Sequence, residues 1–162
     1  MRHHIHMQYE TDASPERVFA ILATGENQTS WAPGYVKTEW LTREHAGIDA
    51  VRDIYLERFI VRERFLIWEP GRRFTFSSDA MKPAVARELV EDIRILPRPG
   101  GGSILDWTVH VSLNRVLALF GPLLIRRVFR PMFESFAEGL ATYATAHRWL
   151  DTDADPGARA FR

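Results

Sequence analysis

Pro70-Gly71 sits between two runs, Phe59–Trp68 and Arg72–Ser78, in which apolar and polar residues alternate. Proline presets the first central position of a type II turn, and glycine accepts the left-handed second, so the pair predicts an antiparallel hairpin. A two-residue loop there sets Ile67 opposite Phe74 and Phe65 opposite Phe76, and opposed residues share a face. One face then carries Val61, Glu63, Phe65, Ile67, Phe74, Phe76 and Ser78. The other carries Arg62, Arg64, Leu66, Trp68, Arg73, Thr75 and Ser77. The first face is the more apolar and points inward, as in an antiparallel sheet packed on one side.

A second hairpin repeats the pattern. Val85–Leu96 and Ile104–Ser112 flank the loop Pro97–Ser103, and Ile93 can pair with Trp107 and Leu89 with Val111. That puts Leu89, Ile93, Ile95, Leu105, Trp107, Val109 and Val111 inside, with Arg87 and Glu91 in the same phase. His4, His6, Gln8 and Glu10 alternate with Ile5, Met7 and Tyr9 as a first strand, and Tyr35–Arg43 and Ala50–Arg58 read as two more. Ser14-Pro15 is a helix start, with a hydroxyl cap before a proline in the first turn. That helix ends near Thr24-Gly25, and Asn27–Trp31 forms a second short one. The cover is Pro122–Trp149, where Phe129, Phe133, Phe136, Leu140, Tyr143 and His147 recur at spacings of four and three as one stripe. Pro131 kinks this helix or marks its first turn.

The sum is an α+β chain: a curved seven-stranded antiparallel sheet and two short helices wrapped around a long C-terminal helix. Residues 1–149 are expected to form one domain, with 150–162 a polar, Pro/Gly-containing tail expected to be disordered. At 46% hydrophobic residues the chain builds a core without metal or disulfide. It has no cysteine, which removes thiolate chemistry. Lys+Arg and Asp+Glu both number 21, so no net field draws it to nucleic acid. Met1–Glu10 lacks the apolar core of a signal peptide, which sets a cytoplasmic expectation. Val116–Ile125 is apolar but shorter than the about 20 residues of a spanning helix, and Gly121-Pro122 interrupts it, so stable membrane insertion is not expected.

Three stretches sharpen the assignment: Ala13-Ser14-Pro15-Glu16-Arg17-Val18-Phe19, Trp68-Glu69-Pro70-Gly71-Arg72-Arg73-Phe74, and Gly101-Gly102-Ser103-Ile104-Leu105-Asp106-Trp107. With the element order, they make residues 3–148 resemble the polyketide cyclase/dehydrase and lipid-transport-like branch of the START/Bet v 1-like (SRPBCC) superfamily. The resemblance implies the helix-grip fold and a cavity between sheet and helix. Its motifs specify a helix cap and two turns, so it carries no catalytic position over to this chain.

Such cavities are mostly apolar and typically ~300–1,000 Å3. The expected lining is Trp40, Phe65, Phe74, Phe76, Leu89, Trp107, Phe133, Phe136, Leu140 and Tyr143. The sharper signal is polar residues on the inner face: Glu63, Ser78, Arg87 and Glu91. A buried unpaired charge is costly, so Glu63 and Arg87 are expected to meet across about 10 Å of sheet. Arg87 then anchors a ligand carboxylate, phenolate or carbonyl, or the two form a structural ion pair, or a bulge turns one outward. Asp53, Tyr55 and Trp31 are further, unplaced candidates. His4 and His6 share a face but lack a third metal ligand, so neither a metal nor a cofactor is expected.

The leading expectation is a binder of a hydrophobic or aromatic small molecule. One alternative is a cyclase or dehydratase in which Glu63 or Tyr143 moves protons. Another is a lipid or quinone carrier that touches membranes through Val116–Ile125. For that segment we favour packing: Leu117, Leu119, Phe120, Leu123 and Leu124 either cap the cavity or form a homodimer surface.

Overall fold

The computed structural model describes residues 2–150. Met1 and residues 151–162, nearly all of the expected tail, lie outside the described residues. The strands are β1 (Arg2–Thr11), β2 (Tyr35–Trp40), β3 (Val51–Leu56), β4 (Ile60–Glu69), β5 (Arg73–Lys82), β6 (Ala86–Pro97) and β7 (Ser103–Leu113). Helices α1 (Pro15–Thr24) and α2 (Gln28–Trp31) fall between β1 and β2. After β7 come a 3₁₀ turn (Leu117–Phe120), α3 (Gly121–Leu124), a π-helical turn (Ile125–Phe129) and the long α4 (Arg130–Ala146). The seven strands form one antiparallel sheet in the order β1-β7-β6-β5-β4-β3-β2, the α+β helix-grip arrangement expected.

Phe65 pairs with Phe76, Ile93 with Trp107 and Leu89 with Val111, as the alternation predicts. The tip of the central hairpin differs. Arg72 N–H donates to the Glu69 carbonyl at 2.9 Å and Gly71 has φ +68°, so the type II turn stands. The connection, however, takes three residues, because Glu69 pairs with Arg73. A register shift between Phe65 and Ile67 accommodates the extra residue and sets Trp68 opposite Phe74. Trp68, expected on the wet face, therefore turns inward. Its ring lies 5.4 Å from Phe19, 5.1 Å from Phe65 and 5.0 Å from Phe74. Further shifts lie at Tyr35/Lys37, Arg62/Glu63 and Ala86/Glu88, and bulges of this kind bend a strand and increase its twist.

The inner face packs on α4 through Phe133, Ala137, Leu140 and Ala144, all buried. Pro131 does sit in the first turn of α4, and the preceding turn is widened. Arg130 N–H reaches back to the Ile125 carbonyl, five residues away rather than four. A proline has no N–H and its ring crowds the carbonyl four residues back, so a π turn placed just before it lets the helical path continue.

Polar contacts tie the short helices to α4. The buried Arg17 forks onto Glu26, with both Nη–Oε distances 2.7 Å, and its Nε donates to the His147 carbonyl at 3.0 Å. Tyr143 donates its hydroxyl to Glu26 at 2.9 Å, and Trp31 donates Nε1 to the Glu26 carbonyl at 2.9 Å. Where α2 crosses α4, Gly139 lets the backbones touch: a β-carbon there would overlap the Trp31 carbonyl oxygen. In an exposed helix, Gly→Ala is stabilising by about 1 kcal/mol. Here Gly139→Ala is expected to destabilise, by about 1–3 kcal/mol, because it overpacks a backbone contact. Thermal unfolding checks it, and a raised melting temperature would contradict the crossing.

Candidate functional site

Between the inner face of the sheet and α4 lies a cavity of about 80 Å3. That is space for roughly half a dozen waters or one small organic molecule. Phe74, Phe76, Leu89 and Trp107 line it from the sheet, with Glu63 and Glu91 among them. Phe129, Met132, Phe133 and Phe136 line it from the helical segment. Their side chains project inward and keep the space well below the several hundred Å3 expected from the architecture. Trp31 and Gln28 of α2 close one end. The Gln28 Oε1 atom is buried without a hydrogen-bond partner.

Three charged side chains lie in this apolar box. Arg52 of β3 is 6% exposed, and Glu63 of β4 and Glu91 of β6 are each 7% exposed. Arg52 Nε donates to Glu63 Oε2 at 2.7 Å across the direct pairing of β3 with β4. Its guanidinium carbon lies 4.9 Å from the Phe65 ring centre, 5.5 Å from Trp40 and 6.0 Å from Phe74, within range of cation–π attraction. The two Nη nitrogens of Arg52 have no hydrogen-bond partner among the described residues, and Arg52 lines the cavity.

Glu91 is held on one side only: Trp107 Nε1 donates to its Oε2 at 3.0 Å. Burial pushes the Glu63 carboxyl above its ordinary range against the pull of Arg52. Glu91 is pushed well above, first by burial and then by the Glu63 charge, with Trp107 and Arg52 offsetting only part. The one guanidinium is committed to Glu63, so Glu91 is the surplus carboxyl that holds its proton to the higher pH.

Arg87 is the main correction. β6 shifts register between Ala86 and Glu88, so Arg87 is the extra residue of a bulge and leaves the inward phase. Its side chain is 69% exposed and, among the described residues, meets only Glu88, at 3.5 Å. The expected Glu63–Arg87 pair does not form. Arg52 takes that place. Ser78 pairs with Glu63 in register but lies outside the cavity wall and bonds the Ala80 carbonyl.

Of the remaining expected lining residues, Trp40 and Phe65 flank Arg52 and lie behind the wall, and Leu140 is fully buried in the core. Tyr143 is also off the cavity: it donates to Glu26 and accepts from Asn27 Nδ2 at 2.9 Å. Asp53 is held by Arg62 at 2.8 and 2.9 Å, and Tyr55 donates to Glu39 at 2.8 Å. His6 meets Asp106 at 3.2 Å.

Sequence reasoning missed Arg52 because the β3–β4 turn, Glu57-Arg58-Phe59, contains no Gly, Pro, Asn or Asp to announce it. The signal lay in the pairing: with that turn placed, Arg52 falls opposite Glu63 and shares its face.

A curved antiparallel sheet gripping one long helix over an apolar cavity defines the helix-grip class. Residues 2–145 match the family model described as polyketide cyclase / dehydrase and lipid transport, and the chain belongs to that family. Proteins of Mycobacterium tuberculosis and Mycobacterium bovis, both described as uncharacterized, are 31% identical to it over 125 residues, 72% of this chain and 74% of theirs. Among solved structures, norcoclaurine synthase from Thalictrum flavum superposes with a TM-score of 0.68 at 11% identity, covering 91% of this chain and 96% of that one. A protein from Thermus thermophilus gives 0.73 at 17% identity, covering 89% and 98%. The di-domain ARO/CYC StfQ of the steffimycin biosynthetic pathway gives 0.74 at 10% identity, covering 91% of this chain and 52% of that one. At these identities the likeness is one of fold.

A raised carboxyl makes stability fall as pH rises. Below the ordinary carboxyl range Glu91 is protonated in both folded and unfolded chains. Above it, the unfolded chain gains by ionising and the folded chain does not, until the folded carboxyl itself ionises. Glu91→Gln keeps an oxygen for Trp107 and removes this penalty. Its unfolding temperature is expected to exceed the parent's at pH 8 and to approach it at pH 5. A difference independent of pH would mean that the Glu91 carboxyl is not raised.

Proposed function

We propose that the protein binds a small, largely apolar, uncharged molecule in the cavity, with a carbonyl or hydroxyl oxygen of the ligand placed between Arg52 and Glu91. The observation that carries this reading is the unused hydrogen-bonding capacity of the Arg52 Nη groups and Glu91 Oε1 inside an aromatic wall. Arg52 and Glu91 both line the cavity, so a ligand oxygen there can make a hydrogen bond to a charged group, worth about 1.5–3 kcal/mol. Charge decides the ligand class. Glu63 already balances Arg52, so an anionic ligand would bring an uncompensated charge into a desolvated site. A neutral ligand leaves the balance intact and can accept a proton-bearing hydrogen bond from Glu91. The aromatic rings favour a flat, unsaturated body. The family description, polyketide cyclase / dehydrase and lipid transport, supports the same reading.

Native mass spectrometry of the purified protein, then mass analysis of anything released on denaturation, tests it first. Trp107 lines the cavity, so titration with neutral and anionic aromatic carbonyl compounds, followed by tryptophan fluorescence, tests the charge argument. The neutral compound is expected to bind and its carboxylate analogue to bind at least tenfold more weakly. Arg52→Met combined with Glu63→Gln removes the anchor without stranding a charge, and is expected to weaken the neutral ligand about tenfold or more. Preference for the anion, or binding unaffected by the double variant, would refute the assignment.

A second reading rests on Glu91 alone. A proton-bearing carboxyl in a dry cavity, beside a guanidinium that can polarise a carbonyl, is suited to general acid–base chemistry, which supports a cyclase or dehydratase role. On this reading Glu91, rather than Glu63 or Tyr143, moves the proton. With a compound that binds and is turned over, Glu91→Gln is expected to lower the rate by about 10²–10⁴ while leaving affinity within a few-fold. Unchanged turnover in that variant removes the reading.

A further inference from the structure

We propose that the segment from Arg115 to Arg130 is a docking surface for an anionic lipid bilayer. The sequence favoured packing for its apolar residues, and Leu117 and Leu124 do pack against the core, but Leu119, Phe120 and Leu123 stand in water. Val116 is 72% exposed, Leu119 81%, Phe120 58%, Leu123 57% and Val128 43%. None of the five lines the cavity, so they do not cap it. Singly exposed apolar residues are ordinary, but a contiguous set of large ones marks an interaction site.

Charge selects the partner. The chain is neutral overall, yet between Asp106 and Glu134 it holds no Asp or Glu, while Arg115, Arg126, Arg127 and Arg130 all fall there. Arg115, Arg126 and Arg127 are exposed and make no ion pair among the described residues, whereas Arg130 pairs with Glu134 at 3.2 Å. A second copy is a poor occupant, because a two-fold contact brings the same arginines face to face. A surface that is apolar inside and negative at its rim fits both features. Leucine and phenylalanine side chains enter the headgroup boundary, and arginines meet the lipid phosphates. The 3₁₀ turn and α3 are each four residues long, which suits insertion of a shallow wedge and not a span.

This face adjoins the cavity wall. Arg127 and Val128 line a surface groove whose remaining wall includes Leu56, Phe59, Met132 and Phe136. Those four side chains also line the cavity. Docking through this segment brings the wall shared by groove and cavity close to the bilayer, where an apolar ligand is stored.

The test is co-sedimentation of the full chain with vesicles of phosphatidylcholine alone and of phosphatidylcholine mixed with phosphatidylglycerol. Binding is expected to the mixed vesicles and to fall as salt is added. Arg126→Gln with Arg127→Gln is expected to weaken it by on the order of tenfold or more at low salt. Leu119→Ser with Phe120→Ser is expected to abolish it without lowering the unfolding temperature, because both side chains are already in water. No sedimentation with either vesicle overturns the proposal. So does binding that ignores Leu119 and Phe120, which would make the face a general polyanion site. Self-association of the free protein that the Leu119/Phe120 variant disrupts would assign the face to a homodimer instead.

Discussion

Every side chain that the inner face of the sheet takes out of water must find a partner on α4 or in the cavity between them, and for Arg52 this demand is the most severe. A lone guanidinium in that position would cost several kcal/mol. The fold meets the demand by direct cross-strand pairing with Glu63 and by rings of Trp40, Phe65 and Phe74 around the cation. Those rings are also the centre of the aromatic core that reaches Phe19 and Trp68. Holding Arg52 and packing the aromatic core are thus one problem. Loss of Arg52 alone would strand Glu63, so any test of the anchor has to remove both charges.

Placing a second carboxyl, Glu91, near that pair turns a structural ion pair into a site. With equal numbers of charges the cavity would be electrostatically closed. With one carboxyl in excess, the surplus group resists ionisation and becomes a hydrogen-bond donor facing an apolar space. The same surplus makes the fold lose stability as pH rises through the carboxyl range. The tie of Arg17, Glu26 and Tyr143 sits at the other end of α4 and holds α2, whose Trp31 closes the cavity. Buried charge thus occurs at two places in one molecule: Arg17 ties α1 to the end of α4, and Arg52 pairs with Glu63 at the cavity.

The outer face of the helical segment obeys the opposite rule. Val116, Leu119, Phe120, Leu123 and Val128 remain in water while acids are absent between Asp106 and Glu134. The segment is held from its other side, where Ile125 and Phe129 enter the core and Leu117 and Leu124 pack against it, and a widened turn precedes Pro131.

The alternation around Pro70-Gly71, the capping serine and the stripe on the last helix determined by themselves the element order and the inward faces of β4 to β7 away from the register shifts that move Trp68 and Arg87. They did so because a period of two or of three and four is local information, legible wherever a strand or helix has one wet face. Glu63 and Glu91 were legible as misplaced carboxylates for the same reason. The arginine between them was not. Which of Arg52 and Arg87 points inward depends on a bulge at Ala86/Glu88 and on a turn, Glu57-Arg58-Phe59, that bears no turn residue. A shift of one residue reverses every side chain beyond it. Tyr143 and Phe65 fell on the expected inner faces yet behind the cavity wall, because periodicity says which way a side chain points and only the packed neighbours decide what it meets.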